Sequence, residues 1–247
     1  MDKGIGFIRT IFLPWLDVAA ELRLHTDDPA VFRNDLENIV ARDVNGEEAR
    51  RKSVDVLMGI WWKSRAVSPA LYDEMLAWLP EIPQSQRIWA HYGLTLLAYP
   101  FFRQCARAIG FFAATGESFT RDMLVQRLSN ELGQLGSLER AGQRVAASLQ
   151  SWGALVPVES ESSYLPLVRV FAIKNPAVET WLAACALWAN PAEDIAVLDL
   201  LHLPELYPFS FTISSDDLRK HPLLEISRQG SWNMVRVKDK APDKIIK

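Results

Sequence analysis

Residues 120–153 read TRDMLVQRLSNELGQLGSLERAGQRVAASLQSWG, and this stretch decides the fold of the middle of the chain. Thr120 is a typical helix N-cap, and Gly133 ends the helix that it opens. Ser137 opens a second helix, which Gly153 ends. Apolar residues recur every three or four positions in this second helix, a spacing that places one stripe of an α-helix against a core. They are Leu138, Ala141, Val145, Leu149 and Trp152.

Two β-rich segments follow the second helix, at residues 156–158 and 165–173, and a polar tip at 159–163 separates them. An apolar helix at 101–114 precedes the stretch. A winged helix-turn-helix has the same order of elements: two helices, a turn, a third helix and a pair of strands. That order predicts contact with DNA.

The polar face of the second helix is the candidate DNA-reading surface. Arginine and glutamine make bidentate contacts to guanine and adenine edges, and a major groove admits one helix. This face carries Arg140, Gln143, Arg144, Ala147 and Gln150. Glu139 lies beside Arg140, and Glu159 and Glu161 at the predicted tip would repel phosphates. Helix-turn-helix geometry also serves dimerisation and protein docking, so both alternatives stay open.

The segments on either side complete a mainly α fold. We expect a helical bundle over residues 1–98, the winged helix-turn-helix over 99–174, and a second winged-helix-like unit over 175–247. Small β-hairpins accompany both winged units. In the last unit, residues 223–228 and 232–238 alternate in polarity around a glycine-containing turn, which predicts a hairpin.

This carboxy-terminal hairpin is the more basic of the two. Arg228, Arg236 and Lys238 lie in it, and we expect them to hold backbone phosphates. Residues 239–247 form either part of this phosphate contact or a disordered basic tail, given Pro242 and the absence of a pattern.

Net charge limits how tightly the chain can bind a polyanion. The 247 residues carry a formal charge of −3. Positive charge collects in two segments: 101–153 holds six basic and four acidic residues, and 214–247 holds eight and five. Excesses this small predict weak or partner-assisted binding that falls steeply with salt.

A second basic cluster lies in the predicted bundle, at Arg50, Arg51 and Lys52. It could hold phosphate or RNA. Glu47, Glu48 and Asp55 lie within a turn, however, and favour a solvated face whose charges neutralise each other.

The location predicted from the sequence is the cytoplasm. Cys105 and Cys185 lie far apart within apolar helices, which indicates buried thiols in a reducing compartment. The amino-terminal residues show no secretory signal pattern. Residues 88–112 are apolar, but Arg103 interrupts them and Pro100 breaks the helix. We therefore expect no membrane span.

No linear motif indicates an enzyme. The chain has no phosphate-binding loop, dinucleotide fingerprint, nucleophile elbow or HExxH helix. The four histidines are isolated from one another and from cysteine, so each is interpreted as structural or surface. We expect no catalytic residue, no metal site and no cofactor.

Three segments resemble the small accessory protein A family of bacterial BREX phage-defence systems, and the similarity covers most of the chain. They are the apolar helices at 89–102 that end in Tyr99-Pro100-Phe101-Phe102, the run Leu149-Gln150-Ser151-Trp152-Gly153-Ala154-Leu155, and residues 203–209. The resemblance implies a nearly all-helical protein with winged-helix parts that binds DNA in the cytoplasm. It transfers no functional residue.

Two functions of different classes follow. In the first, the chain is a non-enzymatic accessory protein that binds double-stranded DNA and partners of a defence complex. In the second, it is a scaffold whose winged units dock proteins, which the acidic segment 154–213 and the many aromatic residues favour. A transcription regulator is a third alternative, although the sequence shows no dimerisation element and leaves the oligomeric state open.

Overall fold

The structure is a computed structural model that describes residues 5–133, 136–158, 160–238 and 240, with the side chains of 160–162 outside this set. The described residues are mostly helical, as predicted. The helices are α1 (Leu13–His25), α2 (Pro29–Val40), α3 (Glu47–Met58), α4 (Ser64–Val67), α5 (Pro69–Trp78), α6 (Ile88–Ala98), α7 (Pro100–Thr115), α8 (Arg121–Leu132), α9 (Leu138–Ser151), α10 (Pro176–Ala189), α11 (Val197–Leu200) and α12 (Ser215–Lys220).

Short strands form small sheets beside these helices. They are β1 (Phe119–Thr120), β2 (Leu155–Val158), β3 (Ser160–Pro166), β4 (Phe171–Ala172), β5 (Asp194–Ala196), β6 (Phe209–Ser210), β7 (Leu224–Gln229) and β8 (Trp232–Val237). Two of the sheets have three strands, in the orders β1-β3-β2 and β5-β8-β7, and all their pairs are antiparallel. In each of them the strand that comes first in the chain pairs with the last strand of the following hairpin.

Local capping explains where several helices begin. The side chain of Asp28 accepts hydrogen bonds from the first N–H groups of α2, and Thr120 does the same for α8. Asn175 caps α10, and Ser214 and Asp217 form a capping box on α12. These side chains satisfy backbone donors that have no partner within the helix.

The helix that begins at Glu47 is interrupted before it reaches α4. α3 ends at Met58, and Gly59–Lys63 form a π-helical turn that leads into α4. The Tyr99 ring packs where a Cβ of Gly59 would lie, and its hydroxyl donates to the carbonyl of Val56 at 3.1 Å. The π-helical turn thus coincides with a contact to a distant aromatic residue. The apolar periodicity within residues 47–63 does not indicate this turn.

The strand predicted at 165–173 was wrong in its bounds. β3 begins at Ser160 and ends at Pro166, and residues 168–169 form a turn before β4. Ser163 and Tyr164 pair with Thr120 and Phe119 of β1, so a sequence that looked like a polar tip belongs largely to the sheet. β4 instead pairs in parallel with β6, in a different sheet. Glu159 of the predicted tip lies outside the described residues.

One continuous hydrophobic core runs through the described residues. The indole N–H of Trp181 on α10 donates to the carbonyl of Leu71 on α5 at 2.7 Å, and Trp181 packs edge to face on Trp78 at 5.3 Å. The segments 1–98, 99–174 and 175–247 therefore share a core, and their boundaries stay a prediction.

The apolar stretch at 88–112 forms two helices, α6 and α7, that meet at Tyr99 and Pro100 as predicted. Among the described residues, no helix combines the length and apolar character that crossing a bilayer requires.

Candidate nucleic-acid interface

α9 is the element on which the candidate interface depends. Its buried stripe contains Leu138, Ala141, Val145 and Leu149, as the spacing predicted. The helix ends because Gly153 follows in the left-handed region, at φ 81°, where side-chain-bearing residues are strained. Because the apolar stripe is buried, the opposite face of α9 lies toward the protein surface.

The structure brings Arg140, Gln143 and Arg144 together on that outward face. Arg140 and Arg144 are exposed, and neither guanidinium pairs with a carboxylate of any described residue. Gln143 is half-buried, and its amide donates to Glu139 at 3.1 Å. The carboxylate of Glu139 therefore lies next to this cluster, but it bonds Gln143 rather than Arg140 or Arg144.

An extended amino-terminal segment, residues 5–12, runs along one edge of α9. The N–H of Ile11 donates to the Ser148 hydroxyl at 2.9 Å, and the indole N–H of Trp152 donates to the carbonyl of Ile11 at 2.8 Å. Leu13 N–H donates to the hydroxyl of Ser151 at 3.2 Å. No local sequence pattern predicts this contact, because it joins positions more than 130 residues apart. The segment leaves Arg140 and Arg144 exposed.

The hairpin of β7 and β8 carries the other three candidate residues. Its predicted alternation is confirmed, since Val235 and Val237 are buried and Trp232 is 58% exposed. Arg228 is exposed next to the tip, where its guanidinium Nε donates to the carbonyl of Gly230 at 3.1 Å.

Arg236 and Lys238 have partners within the protein. Arg236 pairs with Glu225 across the hairpin, with Nη2 2.9 Å from the carboxylate. The ammonium of Lys238 donates to the carbonyl of Pro222 at 2.8 Å. Both side chains are exposed, but their charges are partly compensated. Of the tail at 239–247, only Lys240 lies within the described residues.

The other polar features are consistent with structural roles. Cys105 and Cys185 are free and buried, and burial raises the pKa of both thiols well above its usual value. Within the described residues, no cluster of three or more histidine, cysteine, aspartate or glutamate side chains could hold a metal ion.

The pairing expected for the basic cluster on α3 is confirmed for two of its three cations. The Lys52 ammonium lies 2.6 Å from Glu48, and Arg51 lies 3.5 Å from Asp55. Lys52 nevertheless also lines a cavity with Arg140, which the sequence did not indicate.

Comparison of the chain with family models, curated proteins and solved structures found no match. The resemblance to the BREX accessory protein A family therefore stays a prediction.

Proposed function

We propose that this chain is a non-enzymatic, DNA-binding accessory protein of a BREX-like phage-defence system, acting in the cytoplasm. In this proposal α9 enters the major groove of duplex DNA, and α7, β1, α8, α9, β2 and β3 form a winged helix-turn-helix. The element order and the β1-β3-β2 pairing support this interpretation, because a winged helix pairs its first strand with the last strand of its wing.

One observation carries the proposal: Arg140 and Arg144 are exposed, one turn apart, and free of carboxylate partners among the described residues. Two like charges one turn apart destabilise a helix by about 0.2–0.5 kcal/mol, a cost that a bound anion would offset. Guanidinium groups one helical turn apart suit guanine edges and phosphates in a single groove.

The second three-stranded sheet supports a second contact. β5, β8 and β7 pair in the same order as β1, β3 and β2, and α10 and α12 precede the corresponding strands. We assign Arg228 at the hairpin tip to backbone phosphate. Arg236 and Lys238 would join it by exchanging Glu225 and the Pro222 carbonyl for phosphate.

Charge reversal on α9 tests the proposal. Fluorescence anisotropy with duplex DNA at two salt concentrations should show binding by the wild-type chain that weakens steeply with salt. The double variant Arg140→Glu with Arg144→Glu should bind at least about thirtyfold more weakly, since each contact contributes about 1 kcal/mol or more.

The matched control is Lys63→Glu with Arg65→Glu. Both side chains are exposed at the junction of the π-helical turn and α4, which pack mainly on α3, α5 and α6, and the net charge changes equally. Arg65 forms an exposed ion pair with Asp73, a contact that contributes little to stability. This control should lose little affinity. Absence of binding by the wild-type chain, or equal loss in both variants, would remove α9 as the interface.

A protein-docking scaffold is the second candidate, and exposed apolar side chains favour it. Leu198 on α11 is 71% exposed and Trp232 on β8 is 58% exposed. An exposed tryptophan is a typical anchor of a protein–protein interface. Co-purification of a defined untagged partner, combined with indifference to DNA, would decide for this alternative. A palindromic transcription regulator would instead require a dimer, which sedimentation measures.

A further inference from the structure

An open cavity of about 300 Å³ lies where the amino-terminal segment, α3 and the start of α9 meet. Three cationic side chains from these three elements line it: Arg9, Lys52 and Arg140. Ile5, Ile8 and Ser137 also contribute to the wall. Cations from positions this far apart in sequence converge here only because the chain is folded.

Contacts between the elements fix the geometry of the cavity. The bonds of Ile11 with Ser148 and Trp152 hold the amino-terminal segment against α9. Two residues before Ile11, Nε of Arg9 donates to the Ser53 hydroxyl at 3.4 Å. Ser53 is buried on α3 next to Lys52. Arg9 is thus anchored beside Lys52, and both face the side of α9 that bears Arg140.

The charge around the cavity is not balanced. Glu48 pairs with Lys52, but neither Arg9 nor Arg140 forms an ion pair with a described carboxylate. Glu139 is exposed, bonds Gln143 and does not line the cavity. Ser137 directly precedes α9, so the positive end of that helix dipole adds to the excess. The excess positive potential favours an anion.

We propose that this cavity binds one phosphate of a nucleic-acid backbone, with the attached sugar against Ile8. The inference rests on the proposed DNA binding by α9 and locates one backbone contact of that complex. Arg140 belongs both to the outward face of α9 and to the cavity wall, so a duplex seated on α9 brings its backbone to this point. Ile8 is 44% exposed and supplies the apolar surface that a deoxyribose covers.

The test removes the two cations that do not belong to the α9 face. The variant Arg9→Gln with Lys52→Gln should bind duplex DNA about tenfold more weakly at moderate salt, and equally so for different sequences. The slope of log affinity against log salt should fall in magnitude by about one, because one phosphate contact is lost.

The matched control for the single variant Lys52→Gln is Arg51→Gln, which removes one charge from the preceding residue on α3. Arg51 pairs with Asp55 and does not line the cavity, so its affinity and slope should stay close to those of the wild type. Lys52→Gln alone preserves the Arg9 contact with Ser53, and we expect a smaller loss in the same direction. This single variant still tests the proposal if the double variant is destabilised.

A second arm separates the nucleic-acid backbone from free phosphate. Inorganic phosphate replaces chloride at constant ionic strength, and the unfolding temperature of wild type and Lys52→Gln is measured. Stabilisation of the wild type alone, with unchanged DNA affinity in Lys52→Gln, would assign the cavity to a free anion and overturn the proposal.

The failures of the two proposals differ. If the wild type binds DNA and the α9 charge reversal weakens it, but the cavity variant behaves like Arg51→Gln, the cavity proposal alone is wrong. If the wild type does not bind DNA, both are wrong.

Discussion

Several buried polar residues in this chain have long-range partners that sequence spacing does not show. Each histidine is isolated in sequence, yet each has a contact in the fold: His25 with Glu21, His202 with the Leu198 carbonyl, and His91 and His221 with acids on other helices. Their prediction as structural or surface residues fits these contacts. The acidic partners of His91 and His221 were not predictable, because packing of distant segments brings them together, whereas His25 and His202 bond residues four positions earlier in the chain.

His91 gives a pH prediction. Its ring is fully buried, Nε2 lies 2.9 Å from Asp17, and no described residue bonds Nδ1. Burial lowers the pKa of His91 below its ordinary 6.5, with Arg87 adding to the effect, and the Asp17 carboxylate opposes it only in part.

Below pH 6.5 the unfolded chain therefore binds a proton that the folded chain resists. The contribution of neutral His91 to the free energy of unfolding should be fully present above this pH, and it should be lost as the pH falls toward and through the folded-state pKa. Urea denaturation of the wild type and of His91→Gln between pH 5.5 and 7.5 measures this pH dependence of stability. The wild type should lose more stability than the variant on acidification, and parallel curves would contradict the assignment.

At the scale of elements, the sequence predicted the long amphipathic helices well and the short strands poorly. α7, α8 and α9 were predictable because capping residues, prolines, glycines and apolar spacing all act locally. β1, β4 and β6 contain two residues each and exist only through distant pairing, which no local pattern encodes. The candidate face of α9 was predictable from periodicity, whereas the cavity beside it depends on the amino-terminal segment.

Packing of the 3-10 turn at Pro204–Leu206 on α7 gives a prediction at this scale. A Cβ at Gly110 would overlap the backbone carbonyl of Pro204, which has no rotamer to escape into. Gly110→Ala should lower the free energy of unfolding by about 3 kcal/mol. Gly136→Ala is the control, since no atom of the described residues beyond its chain neighbours lies within 4 Å of its Cβ position, and a change within about 1 kcal/mol is expected. Equal effects of the two substitutions in chemical denaturation would refute this packing argument.

At the scale of the whole molecule, one core places all the candidate surfaces on a single body. Trp152 joins α9 to the amino-terminal segment, and the hydroxyl of Tyr92 on α6 donates to the carbonyl of Glu205. Total charge predicts only modest affinity for DNA, so local placement of cations has to supply the interface. Composition cannot reveal this placement.

Both native cysteines are buried with raised thiol pKa values, so a cysteine introduced on the surface can be labelled selectively. Gln150 is exposed on α9, six residues after Arg144, and Lys63 is exposed on the π-helical turn, which packs mainly on α3 and α6. A photoreactive maleimide can therefore be attached at either position after substitution to cysteine, without reaction at Cys105 or Cys185.

The most direct test of DNA binding by α9 is photocrosslinking of these two labelled proteins to duplex DNA at low salt. We predict an adduct from Gln150→Cys that high salt and unlabelled duplex suppress, and little adduct from Lys63→Cys. Equal adducts from both positions, or none from Gln150→Cys, would contradict the account.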